Sequence, residues 1–183
     1  MNLTGQQTRP VSQAEAWAAL NDITMLQAAV PGCEAITPAG DNTFDVLMAV
    51  SIGPVKARFK GRLQLSDLMP PQSYRLAFDA SGGAAGHGKG QALVALEAQA
   101  PRQTRLTYEV TASVVGKLAQ IGSRLVDLAA QKLAEDFFAR FQAGLLERHP
   151  PAVSATVQAP ATAQAATPSL LRRLRDWLRR LVG

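Results

Sequence analysis

The sequence predicts an α+β domain in which hairpin-spaced strands precede one long helix. Three observations predict it. Apolar residues alternate with period two from Phe44 to Val110. From Gly116 to Arg148 they recur at spacings of three and four, without a break. Residues 149–168 then hold four Pro and seven Ala among small polar residues, and nothing there can build a core.

Residues 2–9 read as a short, mostly polar strand. Ser12-Gln13-Ala14-Glu15 fits a capping box, in which hydroxyl and carboxylate each satisfy a free backbone N–H. It opens a helix carrying Trp17 and Leu20. A second short helix covers Ile23 to Ala29, and Val30-Pro31-Gly32 turns the chain. Phe44, Val46, Met48, Val50 and Ile52 form one face of a strand ending at the Gly53-Pro54 turn. Val55, Ala57, Phe59, Gly61, Leu63 and Leu65 then face one way. Lys56, Arg58, Lys60, Arg62 and Gln64 face the other, as in a half-buried antiparallel strand. Beyond the Met69–Gln72 loop, Tyr74, Leu76, Phe78 and Ala80 alternate in the same way. Ala92, Val94 and Leu96 follow a Gly-rich turn; Leu106, Tyr108 and Val110 follow Pro101-Arg102-Gln103.

The long helix puts Leu118, Ile121, Leu125, Leu128, Ala129, Leu133, Phe137, Phe141 and Leu145 on one stripe. Lys117, Arg124, Asp127, Lys132, Glu135 and Arg140 lie opposite. At 1.5 Å per residue it would run about 50 Å, and Pro150-Pro151 end it. The chain thus divides into a domain over 1–148, a disordered linker over 149–168 and a basic amphipathic helix over 169–183. In that last segment Leu170, Leu171, Leu174, Trp177, Leu178 and Leu181 share one face with Val182. Arg172, Arg173, Arg175, Arg179 and Arg180 occupy the remainder, the pattern of a helix lying in a membrane interface.

Charge follows the same division. The net charge is +5, but residues 1–148 carry 14 Lys and Arg against 13 Asp and Glu. Residues 169–183 carry five Arg and one Asp, so basicity belongs to the tail. Cys33 is the single cysteine, which permits no intrachain disulfide and fits a reducing compartment. The N-terminus shows no secretory signal, and no apolar run reaches the about 18 residues of a membrane span.

Chemistry is sparse. Gly83-Ala-Ala-Gly-His-Gly-Lys-Gly90 resembles a P-loop but lacks the final hydroxyl and leads into a strand, so a hairpin loop is the better reading. Cys33, His87 and His149 give no metal-ligand spacing, and no carboxylate pair suggests acid–base work. A Cys33–His87 couple would need the fold to bring the two together; the plainer reading is a core residue and a loop residue. The Lys56, Arg58, Lys60, Arg62 stripe suits an acidic partner or headgroups, but also a solvated strand face. It lacks interleaved aromatics, so no nucleic acid is expected.

Several short motifs occur at even spacing: Ala19-Leu-Asn-Asp22, Val30-Pro-Gly-Cys-Glu34, Gly53-Pro-Val-Lys56 with Phe59-Lys-Gly61, Ser66-Asp-Leu68 with Pro70-Pro71, Gly82–Gly86 with Lys89-Gly90, Tyr108-Glu-Val110, and Gly116–Leu125 with Phe137–Phe141. In these residues the chain resembles the carbon monoxide dehydrogenase G-subunit family, within the START-like, or helix-grip, superfamily. The chain departs from the pattern at His87 and Ile23.

The resemblance implies about seven antiparallel strands curled on the long helix, with an apolar cavity between them. Met48, Val50, Phe59, Phe78, Ile121, Leu125 and Ala129 are the expected lining. It implies a non-catalytic partner of a molybdenum-containing carbon monoxide dehydrogenase, or a related hydroxylase. That partner ties the enzyme to the anionic inner face of the cytoplasmic membrane. No covalent cofactor or metal is expected; a quinone is the expected cargo, passing electrons to the respiratory chain. A cyclase-like enzyme using the same cavity and an assembly factor for the dehydrogenase stay open beside it.

Overall fold

The computed structural model describes residues 1–150. The 169–183 helix, and the 149–168 linker beyond its first two residues, lie outside the described residues. The elements run β1 (Asn2–Arg9), α1 (Gln13–Leu20), α2 (Ile23–Ala29), β2 (Cys33–Gly40), β3 (Thr43–Ile52) and β4 (Val55–Met69). β5 (Ser73–Ser81), β6 (His87–Ala100), β7 (Gln103–Val115), α3 (Lys117–Gln120) and α4 (Ser123–Arg148) complete the order. All seven strands form one antiparallel sheet, ordered β1-β7-β6-β5-β4-β3-β2. β2 to β7 are a meander; β1 returns beside β7, and α1 with α2 carries the chain between the sheet's two edges.

Register confirms the alternation. Phe59 pairs with Met48, Leu63 with Phe78, Leu76 with Ala92 and Val94 with Tyr108, so their side chains share the inner face. On the outer face the strands are laced by ion pairs: Arg58–Glu34 and Arg62–Asp45 at 3.0 Å, and Arg75–Asp67 at 2.9 Å. Half of the basic stripe is therefore neutralised by its neighbours. Exposed pairs of this kind stabilise little; they chiefly keep the outer face wet.

Three elements differ from expectation. β2 is a strand that the sequence reading lacks. It is an edge strand with register shifts at Cys33/Ala35 and Pro38/Gly40, so no clean alternation survives, and Pro38 is tolerated because an edge needs fewer donors. β6 starts at His87, inside the apparent Gly-rich turn, because Gly88 and Gly90 pair with Val114 and Ala112. The long helix is broken. Ile121 closes α3, Gly122 adopts φ 98°, and α4 starts afresh at Ser123. α4 is unbroken from Ser123, but positions four apart drift by about 40° per step, so Leu125 lies roughly 160° round the helix from Phe141. Val126 becomes buried, while Leu125 and Leu128, expected on the inner stripe, are 38% and 62% exposed. From Leu133 to Leu145 the stripe holds, with Phe141 and Leu145 fully buried.

The main core joins α1, α2 and the C-terminal half of α4 to the sheet through Val11, Leu20, Met25, Tyr74, Leu96, Leu106, Phe138 and Phe141. A smaller cluster of Phe59, Ala85 and Leu118 closes the other end. The capping box forms: Ser12 N donates to Glu15 Oε2 at 2.8 Å, and Glu15 N donates to Ser12 Oγ at 3.3 Å. Asp22 caps α2, accepting from Met25 N at 3.0 Å. The end of α4 ties to both caps, Arg148 to Asp22 and His149 to Glu15. Ser12→Ala should cost about 1 kcal/mol by urea denaturation, since one cap serves the helix and the α4 tether together.

Candidate functional site

Much of the inner face of the sheet is not buried. Leu3, Phe44, Met48, Leu76, Val94 and Val110 stay half-exposed, although each points toward the helix. They face a cavity of about 430 Å³. Its walls come from all seven strands, β2 through Ile36 and β1 through Leu3; its roof is Leu133, Ala134, Phe137 and Phe138 of α4; α2 and its turn close one side through Ile23, Leu26, Val30 and Pro31. Two inner aromatics lie against glycines: a Cβ on Gly90 would meet the Thr111 carbonyl and the Phe78 ring, and one on Gly5 would meet the Tyr108 ring. A ring laid flat on the sheet fills less of the lumen than one standing from it.

Of the expected lining, Met48 and Phe78 face this cavity. Val50, Phe59 and Ile121 belong instead to the small closing cluster, with Leu118 and Ala85. Leu125 turns outward and lies against Gly53; Ala129, half-buried, is not on the wall. Val50 and Phe59 point inward but lie at the end of the sheet that the small cluster closes. On α4 the stripe drifts about 40° with every step of four, so a face anchored on Phe141 has turned away from the core by Leu125. The α2 wall escapes sequence reading because seven residues carry too little periodicity to fix a face. The membrane-binding residues expected between Leu170 and Leu181, including Trp177, lie outside the described residues.

Polar groups on the wall are few: Asn21, Tyr74 and Tyr108. The Asn21 amide donates to Trp17 O at 2.9 Å, so it is committed to the helix end. Tyr74 is 7% exposed, its ring edge-on to Trp17, and burial alone pushes its phenol up to about 12. It therefore keeps its proton at neutral pH, which leaves the hydroxyl available as a hydrogen-bond donor. Burial also raises the Tyr108 phenol, and the charge of Glu135 adds to it. A titration at 295 nm should show both tyrosines ionising above 10, Tyr74 near 12. The sign follows: the unfolded phenol ionises first, so folding stability declines as pH rises past about 10 toward 12.

No catalytic couple forms. Cys33 sits on β2 and His87 on β6, with β3, β4 and β5 between them. The Cys33 thiol, its pKa raised by burial, lies 3.7 Å from Ala35 O; His87 pairs with Asp79 at 3.3 Å. The P-loop-like segment is a single turn of 3-10 helix at Gly83–Ala85 that runs into β6, so no helix N-terminus faces a phosphate. Among the described residues no His, Cys, Asp and Glu cluster could hold a metal, and no helix is long and apolar enough to cross a membrane. What the arrangement can do is enclose an apolar molecule and offer it a hydroxyl or two.

A profile of the carbon monoxide dehydrogenase G-subunit family (CoxG) matches residues 5–145. No curated protein matches the chain. Among solved structures, a conserved protein from Geobacillus kaustophilus is similar at 27% identity and TM-score 0.76, over 80% of this chain and 96% of that one. A START superfamily protein from Mycobacterium smegmatis is similar at 10% identity and TM-score 0.62, over 80% and 98%. The Zhui aromatase/cyclase from Streptomyces sp. R1128 is similar at 13% identity and TM-score 0.59, over 81% and 94%. The last two show the shared START-like fold and nothing of the chemistry.

Proposed function

The chain belongs to the CoxG family of carbon monoxide dehydrogenase accessory proteins, and from that premise we propose a non-catalytic carrier and adaptor. It recruits a molybdenum-containing carbon monoxide dehydrogenase, or a related hydroxylase, to the cytoplasmic membrane and holds an apolar ligand, a quinone, in its cavity. The observation that carries the reading is the half-exposed inner face of the sheet around about 430 Å³ of apolar space. A side-chain-filled core would bury those residues; a carrier keeps them uncovered. The wall residues fit the cargo: aliphatic side chains and Phe137 for the ring and its apolar chain, and the protonated Tyr74 hydroxyl to donate to a carbonyl oxygen. A bound quinone would supply reversible uptake of electrons and protons. The residues of this chain orient it and exclude water. The segment 169–183, five Arg interleaved with Leu and Trp177, supports contact with the anionic inner face of the membrane.

The test is mass spectrometry of organic extracts from gently purified full-length protein. A quinone recovered in near-equal amount is the expected result; an extract free of apolar molecules removes the carrier reading. Flotation with liposomes should hold the full chain and release a truncation at 148. A dehydrogenase left unassembled in a deletion strain would favour the assembly role instead.

A further inference from the structure

We propose that the end of the domain built from the β3–β4 turn, the β5–β6 turn and the β7–α4 connection is itself a membrane contact, docking on anionic lipid headgroups. The proposal deepens the recruitment reading above and gives the folded domain its own part in it.

Charge comes first. Residues 50–57, 81–88 and 113–128 form this end, and they contain Lys56, Lys117 and Arg124 against one carboxylate, Asp127. At the opposite turns Asp67 pairs with Arg75 and Glu97 with Arg105. This end thus carries a small cationic excess.

Exposure comes second. Of the five large apolar side chains most open to solvent among the described residues, Leu128 at 62%, Val115 at 57% and Leu125 at 38% sit at this end, while Met69 at 57% sits at the other. Leu125 rests on Gly53, beside the exposed Pro54, and Leu128 is its neighbour one turn along α4. Cations lie close to these apolar sites in the chain, Lys56 after Val55, Lys117 two residues after Val115 and Arg124 before Leu125, while Leu128 follows Asp127. Apolar tips among three cations and a single carboxylate match a headgroup layer, where the cations meet phosphates and the side chains pass below. An acidic protein would match the charge but not the scatter of tips over three separate loops.

Position comes third. Phe59, Ala85 and Leu118 close the fold here, directly beyond Met48 and Phe78 of the cavity wall. α3, which carries Leu118, lies between Gly116 at φ 84° and Gly122 at φ 98°. A ligand leaving past this plug would enter lipid without crossing water.

The test uses the full chain with Cys33→Ala and one introduced cysteine, Leu128→Cys or Asp67→Cys, bearing an environment-sensitive fluorophore. With mixed phosphatidylcholine–phosphatidylglycerol vesicles, the probe at position 128 is expected to blue-shift and brighten, and the probe at 67 to stay at its aqueous wavelength. The exposed pair Leu125→Glu with Leu128→Glu is expected to lower the floated fraction severalfold at unchanged circular dichroism. A chain that floats with the 128 probe unshifted overturns the proposal and leaves recruitment by the C-terminal segment standing. A chain that does not float removes both. A probe that shifts with the dehydrogenase and not with vesicles makes this end a protein interface and overturns the proposal too.

Discussion

Phe141→Ala is expected to lower stability by about 3–5 kcal/mol. Phe141 is fully buried at the joint between α4, α1 and the sheet, and its ring stacks on Phe137 at 5.6 Å between centroids. Truncation removes a ring from the main core at a place where the long helix, tied at its end to the caps of α1 and α2, has little room to collapse. Urea denaturation should show the midpoint falling with an unchanged slope. Phe137 is part of the cavity roof, so ligand retention should weaken with it. The control is Leu128→Ala on the same helix, expected within about 0.5 kcal/mol of wild type because the side chain is 62% exposed. Equal effects at the two positions would mean that α4 is not docked as described.

Val94→Phe should separate a cavity from a core. Val94 stands on the inner face of β6, paired with Tyr74 and Tyr108 and open to the cavity. In a packed interior the added atoms would force neighbours off their rotamers and cost about 1–3 kcal/mol. In an open lumen of about 430 Å³ the ring has somewhere to go. The expected outcome is a midpoint within about 0.5 kcal/mol of wild type, by the same scale for a substitution that meets no packed neighbour, together with loss of most of the co-purified apolar ligand. A destabilised protein that keeps its ligand would place that ligand elsewhere.

The order of elements was legible because local periodicity writes it. The alternation through β3, β4, β5 and β7, the Ser12–Glu15 capping box and the Ile23–Ala29 helix are all set by residues within one turn or one hairpin of each other. β2 was not legible, since an edge strand with two register shifts and Pro38 carries no alternation to read. The cavity was half legible. Strand parity put Met48 and Phe78 inward, and both line it. The α4 residues went astray because steps of four drift about 40° each, which carries Leu125 to the far side of the helix from Phe141.

By itself, then, the sequence determined the α+β order, the inward strand faces, the basic C-terminal segment and the motif spacing that marks the family. Tertiary structure alone decided that the inner face encloses space. Whether apolar side chains fill a core or line a lumen depends on how far the helix stands from the sheet, and on aromatic rings lying over Gly5 and Gly90 on neighbouring strands. Those are contacts between residues up to about a hundred positions apart, and no local pattern encodes them.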